Sequence, residues 1–252
     1  MLGCGIAPMS AYAYDLHIHS CLSPCADDDM TPNNIAGMAA LKGLHIVALT
    51  DHNSCKNCPA FFEACRRQGL VAVAGMELST AEDIHLVCLF ESLDDAMRFD
   101  EVVSDHLMNI DNKPEIFGNQ LVMNADDEPI DTVKKLLISA TDLWIDDAIA
   151  LAKSYGAHVH PAHIDRESNG IIAILGDVPS EYAFDCLEFN KADSIQEIEE
   201  NYPSTVGAKR VVSSDAHYLW DINEADNSIT LDDEPYSSSL VRKRLFEYLN
   251  SR

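Results

Sequence analysis

The sequence predicts an α/β fold built on a parallel sheet or barrel and contained in a single domain. Short apolar runs rich in Val, Ile and Leu recur between helix-like stretches, as is typical of strands buried on both faces. The runs lie at residues 14–18, 44–50, 70–74, 84–90, 158–162, 185–189 and 210–214. A chain of 252 residues also suits an α/β barrel with one core.

Helices are expected between these runs. The first is well marked, because Thr31 can cap it, Pro32 suits its first turn and Gly43 follows its end. Further helices are predicted at 59–68, 92–103, 131–138, 142–155 and 237–250. The remaining expectations are an N-terminal tail at 1–13, a domain over 14–252, a loop or small hairpin insertion near 105–130 and a second acidic loop at 220–236.

Charge and hydropathy exclude several classes of protein. The chain has 42 acidic and 17 basic residues, which give a net charge of -25. This charge disfavours binding of long nucleic acid along an extended surface. Most of the acidity is expected on a solvated surface. The first 13 residues lack the features of a secretory signal, and no apolar run reaches the length of about 20 residues that spans a bilayer. We therefore expect a cytoplasmic protein that does not bind a membrane.

Histidines and carboxylates fall at or just after the predicted strands. His17 and His19 flank Ile18, and the two-residue period of a strand turns both imidazoles to one face. Later strands supply Asp51, His52, Glu77, His85, His160, His163, Asp215 and His217. Any one of these could be a satisfied core residue or a loop cap. As a set they predict a metal site at the carboxyl-terminal rim of a barrel, where enzymes of this architecture place their chemistry.

The mixture of imidazole and carboxylate suits Mn²⁺, Fe²⁺ or Zn²⁺. Imidazole is a borderline donor, while a carboxylate can bridge two cations about 3.5 to 4 Å apart. The sequence therefore predicts a site with two or three divalent ions.

These motifs resemble those of the PHP family, the polymerase and histidinol phosphatase superfamily of metal-dependent phosphoesterases. The resemblance spans residues 14–217. Its motifs occur in order as DLHIHS (15–20), LTDHNS (49–54), GMELS (75–79), IHLVCLF (84–90), PAHIDR (161–166) and SSDAH (213–217).

The resemblance implies a distorted (β/α)7 TIM-like barrel, the PHP fold, with a trinuclear metal site. The implied ligands are His17, His19, Asp215 and the bridging Glu77 for a first metal, Glu77, His85 and His163 for a second, and His52, His217 and Asp27 for a third. Asp27 is chosen over Asp28 and Asp29 by counting back from Thr31-Pro32, although its spacing from His19 is longer than usual. His163 matches the Ala-His pair of the family, and His160 is the second candidate. His45, His106 and His158 are expected to be structural.

Such a site predicts a hydrolase of phosphate esters that uses a metal-activated water. The expected substrate is small: a phosphomonoester, a short nucleotide, or a sugar or amino-alcohol phosphate. Arg166 is the candidate clamp for a substrate phosphate, because a guanidinium binds two phosphate oxygens at once. Its alternative is a surface ion pair with Asp165 or Glu167. Asp51 is expected either to accept a proton or orient an imidazole from behind, or to cap a helix.

Eight cysteines raise a separate question. Cys21, Cys25, Cys55 and Cys58 follow the first two metal motifs, so they are predicted to share one rim. Four thiolates could hold Zn²⁺ or an iron-sulfur cluster, or act as a redox-sensitive cap. Cysteine also serves as a small buried apolar residue, and this is the expected role of Cys65, Cys88 and Cys186.

Two other functions compete with a phosphoesterase. An amidohydrolase barrel also carries His-x-His after its first strand, but the bridging lysine expected in a middle strand is missing and Glu77 fits the phosphoesterase pattern. The other is a non-catalytic metal, nucleotide or redox sensor on a PHP scaffold.

Overall fold

Strands and helices alternate along residues 9–251, which a computed structural model of the protein describes. The strands are β1 (Met9–Ile18), β2 (Ile46–Leu49), β3 (Val71–Ser79), β4 (His85–Phe90), β5 (Leu121–Met123), β6 (Pro129–Thr132), β7 (His158–Pro161), β8 (Cys186–Phe189), β9 (Lys209–Val212) and β10 (Ser228–Asp232). The helices are α1 (Pro32–Leu41), α2 (Cys58–Gln68), α3 (Leu93–His106), α4 (Pro114–Phe117), α5 (Ile145–Ser154), α6 (Ile171–Leu175), α7 (Ile195–Asn201) and α8 (Ser238–Leu249).

Six strands form the main sheet in the order β10-β1-β2-β3-β4-β7, and β8 and β9 form a parallel pair. Hydrogen bonds join this pair to the rest. The Ile164 N–H donates to the Glu188 carbonyl at 2.9 Å, and the His19 N–H donates to the Ala216 carbonyl at 3.0 Å. The strands therefore curl into a distorted TIM-like barrel within a single α/β domain, and this confirms the predicted fold class.

The expectation of an entirely parallel sheet is wrong at β4. This strand runs antiparallel to both β3 and β7. A turn closed by the Thr80 N–H on the Ile84 carbonyl, at 2.9 Å, connects β3 to β4. A parallel connection needs a crossover of a dozen or more residues, so this short turn permits only a hairpin.

Apolar residues on both faces hold the sheet. Val47 and Leu49 of β2 belong to a core cluster that includes residues of α1, α2, α3 and α5. Ile46 and Ala48, which alternate with them, belong to a second cluster that includes Val241 and other residues of α8. Alternate residues of the strand thus pack into the cores on the two faces of the sheet, as the continuous apolar runs predict.

Most predicted helices are confirmed within a few residues. At α1 the Thr31 side chain accepts from the Asn34 N–H, and Pro32 is the first helical residue. The helix predicted at 131–138 is wrong. There the Gln120 amide donates to the Val133 and Lys135 carbonyls at 2.7 and 2.8 Å, and its oxygen accepts from the Leu137 N–H. These tertiary hydrogen bonds hold the segment as a loop and outweigh its modest helix propensity.

The two predicted loops and the predicted tail contain strands. Residues 105–130 contribute α4, β5 and the start of β6, in keeping with the expected hairpin. Residues 220–236 contain β10, which pairs antiparallel with the first half of β1. Because β1 begins at Met9, the strand takes in the last part of the expected tail at 1–13, and the rest of that tail, with Cys4, lies outside the described residues. No helix within residues 9–251 has the length and apolar character needed to cross a bilayer.

His158 on β7 makes the stability of the fold depend on pH. It is 3% exposed, and its Nδ1 lies 2.8 Å from the Asn250 Oδ1 just past the end of α8. Burial lowers the pKa of His158 to about 3. Below the ordinary histidine pKa of about 6.5, the unfolded chain therefore binds a proton here that the folded chain rejects, and stability falls as the pH drops from about 6.5 towards about 3.

We predict that His158→Gln reduces this acid sensitivity. At about pH 5 the wild type should have lost about 2 kcal/mol at this residue relative to neutral pH, because each pKa unit contributes about 1.4 kcal/mol. Thermal unfolding of the metal-free protein at neutral pH and at about pH 5 measures the difference. The control is His106→Gln, which alters a surface histidine beside Asp142. Equal losses of stability in the wild type and His158→Gln would contradict the prediction.

Candidate metal centre

Polar side chains from six segments meet at one rim of the barrel. Two of these side chains, Glu77 and His85, lie at other places in their strands than the sequence predicted. Glu77 lies inside β3, which continues to Ser79, rather than after the strand. His85 is the first residue of β4, and it reaches the rim because that strand is reversed and pairs it with Ser79. The start of an antiparallel strand thus lies beside the end of its parallel neighbour.

The Glu77 carboxylate is the centre of the site. It is 1% exposed, so its charge has almost no contact with solvent. Five imidazoles contact its two oxygens, from His85 at 2.8 Å, His52 and His163 at 3.0 Å, His19 at 3.2 Å and His17 at 3.4 Å. A buried carboxylate requires such partners, because an unpaired buried charge costs several kcal/mol.

Asp215 provides a second carboxylate beside Glu77. Its Oδ1 lies 3.1 Å from the His19 Nε2 and 3.4 Å from the His17 Nε2. Its backbone is in the left-handed region at φ 53°, and that of His163 lies at φ 29°. Non-glycine residues rarely adopt these conformations, and strained backbone of this kind concentrates at functional sites.

Carboxylates around His17 and His19 raise the pKa of both imidazoles. Burial alone would lower them, but Glu188 and Glu77 raise the pKa of His17 well above its ordinary value. In the same way Asp215 and Glu77 raise the pKa of His19 to about 9. A cation is therefore favoured between these two histidines and the carboxylates, and a metal ion that binds there must displace a proton.

His52 and His217 differ from that pair. Burial lowers the pKa of His52 to about 4 and that of His217 to about 3. Both rings pack against His19, with centroids 4.5 and 4.2 Å from it, and their own centroids are 5.9 Å apart. Both are neutral at pH 7, the form in which imidazole donates a lone pair to a metal.

The donor set fits divalent metal ions. Three groups have ligand atoms within 4.8 Å of one another: His17, His19, Glu77 and Asp215; His52, Glu77 and His85; and His19, His52 and His217. Within the described residues, the buried His52 Nδ1 and Glu77 Oε2 lie 3.0 Å apart but neither has a hydrogen bond of acceptable geometry. Buried polar atoms are rarely left unpaired, so these atoms are available to coordinate a cation.

Four other predicted residues lie around this cluster: Asp27, His160, Arg166 and Asp51. The Asp27 N–H donates to the His217 carbonyl at 3.0 Å, but the Asp27 carboxylate accepts from the Asp29 N–H and is in none of the three groups found in the described part of the chain. His163 contacts Glu77, whereas His160 lies 3.7 Å from Glu188, deeper in the barrel. Of the two histidines that the sequence left open, His163 is the one in contact with Glu77, although it too is in none of the three groups found among the described residues.

Arg166 contacts one of the carboxylates of the cluster, and Asp51 lies behind one of its histidines. The Arg166 guanidinium contacts Asp215 rather than Asp165 or Glu167, and its side chain is 46% exposed. Asp51 caps none of the helices that the structure describes. Its carboxylate accepts from the Ser20 and Ser23 hydroxyls at 2.7 Å, and the Ser23 oxygen lies 3.0 Å from the His19 Nδ1.

The four-cysteine site is not assembled. None of the metal-competent groups among the described residues contains a cysteine. Cys21 points at the Leu121 carbonyl and Cys25 is exposed, while Cys55 and Cys58 both point at the Gly75 carbonyl. The close sequence spacing brings only Cys55 and Cys58 together, because the loop after β1 directs Cys21 towards the inserted hairpin instead.

Sequence reasoning missed Glu188 and Ser23. Glu188 on β8 is fully buried, and its Oε1 lies 2.8 Å from the His17 Nδ1. Its signal was present, because the one acidic residue within the strand CLEF (186–189) has no place in a strand buried on both faces unless it has a partner. Ser23, which links Asp51 to His19, carries no comparable signal.

Comparisons with known proteins agree with this fold. The family model of the PHP domain matches residues 15–212. No curated protein matches the chain in sequence. Among solved structures, the lesion-specific endonuclease PfuEndoQ from Pyrococcus furiosus is similar with a TM-score of 0.61 and 19% identity, over 93% of this chain and 55% of the other. The chain thus spans about half the length of that enzyme.

Two further structures are similar over nearly their whole length. One is a protein of Bifidobacterium adolescentis classed provisionally as a metal-dependent phosphoesterase, with a TM-score of 0.61 and 16% identity, over 95% of this chain and 97% of the other. The other is an amidohydrolase from Chromobacterium violaceum with bound sulfate and no metal, with a TM-score of 0.54 and 18% identity, over 86% and 91%.

The barrel and the histidines and carboxylates at its rim define an α/β protein with a candidate metal-binding centre. The chain belongs to the PHP family, as the match over residues 15–212 shows.

We predict that Glu77→Gln removes most of the bound metal. The wild type, loaded with Mn²⁺ and desalted, should retain two or three ions per chain by elemental analysis, and the variant at most one, because Glu77 is shared between groups. The matched control is the double variant Cys55→Ser and Cys58→Ser, which should retain the wild-type number. Full occupancy in Glu77→Gln, or metal loss in the cysteine variant, would contradict this assignment.

Proposed function

We propose that this protein is a metal-dependent phosphoesterase that hydrolyses a small phosphomonoester or a short nucleotide. The observation that carries the proposal is the buried Glu77 carboxylate with five imidazoles around it and Asp215 beside it. A donor set of this kind suits two or three divalent ions, and ions held close together suit displacement at phosphorus.

The proposed ligands follow the family pattern, with His17, His19, Glu77 and Asp215 at one position and His85 and His163 sharing Glu77 at the next. A third ion would lie between His52 and His217, with Asp27 as an additional ligand. The ions, when bound, supply positive charge that neutralises the phosphate and lowers the pKa of a coordinated water. Mn²⁺, Fe²⁺ and Zn²⁺ all suit this mixture of donors.

The chain's own residues orient these donors. The Ser20 and Ser23 hydroxyls bind Asp51, and Ser23 then fixes the His19 Nδ1. This holds the His19 Nε2 towards Glu77 and Asp215. Asp51 therefore acts from behind the ligands, a position from which carboxylates tune metal-binding histidines.

A cleft beside the cluster supports a phosphate substrate. Its volume is about 720 Å³, and its lining includes Arg166, Lys191, Asp215 and His217. The Asp165 carboxylate accepts from the Asn190 and Lys191 N–H groups at 2.9 and 3.0 Å. Asp165 thereby joins the loop that carries Arg166 to the loop that carries Lys191. Arg166 would bind phosphate oxygens once substrate competes for its contact with Asp215.

The size and charge of the protein favour a small substrate over long nucleic acid. A cleft of about 720 Å³ accommodates a nucleotide-sized molecule. A net charge of -25 opposes an extended polyanion, although bound cations attract a single phosphate locally. The similarity to a lesion-specific endonuclease keeps cleavage of DNA as the second candidate function.

We predict metal-dependent release of phosphate from small esters. Metal-loaded protein should release inorganic phosphate from an aryl phosphate or from nucleoside monophosphates and short oligonucleotides, and EDTA should abolish the release. Duplex DNA with and without a lesion forms the parallel arm. Turnover of the duplex alone would replace the small substrate by nucleic acid. Amide hydrolysis alone would favour an amidohydrolase, and tight nucleotide binding without turnover would favour a sensor.

We predict that Arg166→Met weakens substrate binding more than it slows turnover. A charge-assisted hydrogen bond contributes about 2 kcal/mol, which corresponds to an increase in KM of about 30-fold. Arg166→Lys should recover part of the loss, since it retains the charge without the two-pronged geometry. Arg210→Met is the control, because Arg210 pairs with Glu199 at the surface. An unchanged KM in Arg166→Met would remove Arg166 from the substrate site.

A further inference from the structure

Glu188 is a buried carboxylate that lies behind the metal ligands. Its Oε1 contacts two groups, the His17 Nδ1 at 2.8 Å and the His163 backbone N–H at 3.1 Å. Its Oε2 lies 3.7 Å from the His160 Nε2 and has no hydrogen bond to any residue in the range 9–251. The side chain is fully buried, so no solvent offsets its charge. A charge is retained in such a position only when its partners compensate for the lost hydration.

The contact with Glu188 decides which nitrogen of His17 carries a proton. An ionised carboxylate can only accept, so the Nδ1 of His17 must donate to it. The Nε2 of His17 then faces the rim, where Glu77 and Asp215 oxygens each lie 3.4 Å away. The two carboxylates require a positive charge at that point, which is either a proton on Nε2 or a metal ion that replaces the proton and accepts the Nε2 lone pair.

Glu188 cannot itself be a ligand at that position, because Nδ1 and Nε2 lie on opposite sides of the imidazole ring. The same carboxylate oxygen also holds the main chain of His163, whose backbone has the strained φ of 29°. His163 directs its Nε2 to the Glu77 Oε1 at 3.0 Å. One buried oxygen therefore contacts a ligand from each side of the bridging carboxylate.

We propose that Glu188 is a positioning residue that sets the tautomer of His17 and fixes the backbone of His163, so that one carboxylate outside the ligand set aligns two metal positions. The inference rests on the proposed function for the ligand roles of His17 and His163. Its chemistry is that of a carboxylate-histidine-metal triad, in which the outer carboxylate makes the imidazole a stronger donor.

Equilibrium binding of Co²⁺ to metal-free protein tests the proposal without any assay of turnover. Glu188→Gln keeps an oxygen that can accept from His17 but loses the charge, so the affinity should fall about 10-fold to 100-fold, with an altered visible spectrum of the bound Co²⁺. Glu188→Asp, which restores the charge one methylene further away, should recover part of the affinity.

The matched control is Asp100→Asn. Asp100 is 2% exposed and bonds to Ser54, Cys55 and Lys56 rather than to a ligand. This variant should lose thermal stability and keep the wild-type Co²⁺ affinity. An affinity of Glu188→Gln within twofold of the wild type would overturn the proposal. If the wild type itself binds no Co²⁺, the proposed function fails instead.

A second measurement uses the wild type alone and applies even if Glu188→Gln does not fold. Long-range ¹H–¹⁵N spectra of the Zn²⁺-loaded protein should show His17 protonated at Nδ1, with its proton signal shifted downfield by the carboxylate. A bare Nδ1 on His17 would overturn the proposal.

Discussion

The contact of one buried carboxylate with five imidazoles is the constraint on which the whole rim depends. Glu77 is 1% exposed, and without neighbouring positive charge its ionised form would be expensive to bury. Burial alone would raise its pKa, but His85 and His17 lower it well below the ordinary range. The segments that follow β1, β2, β7 and β9 must therefore end where their imidazoles and Asp215 can surround this residue, and the left-handed conformations of His163 and Asp215 meet that requirement locally.

The sequence predicted much of this arrangement because strand ends are easy to recognise. A period of two placed His17 and His19 on one face, and the parallel strands β1, β2 and β3 brought their carboxyl ends to one edge. It did not predict the direction of β4, since an apolar run reads the same in either direction. Only the shortness of the turn at 80–84 decides it.

Other errors came from interactions between distant parts of the chain. The false helix at 131–138 depends on the amide of Gln120, and β10 depends on pairing with β1 more than 200 residues earlier. Neither leaves a periodic trace in a local window of sequence. The role of Glu188 was hidden in the same way, because its partner His17 is 171 positions away. The prediction of a four-cysteine site was wrong for the opposite reason. Short spacing in the sequence was taken to mean closeness in space, but Cys21 points at the Leu121 carbonyl whereas Cys55 and Cys58 point at that of Gly75.

The strong acidity of the chain and an anionic substrate are compatible once position is considered. Screening limits the reach of the net charge of -25 to about 8 to 10 Å at ordinary salt, so groups near the cluster decide the local potential. Among the basic residues, Arg166 and Lys191 line the cleft beside Asp215. In the described part of the chain Lys191 has no ion pair, which leaves its charge available to an incoming anion.

The hairpin formed by β3 and β4 also bears on how the centre is assembled. Glu77 and His85 are only eight residues apart, and their hydrogen bond is 2.8 Å long. Contacts over so short a loop require little closure entropy and form quickly, whereas those from β7, β8 and β9 await closure of the barrel. One pair of donors in the centre is thus encoded in one local unit, and the more distant strands add the remaining donors.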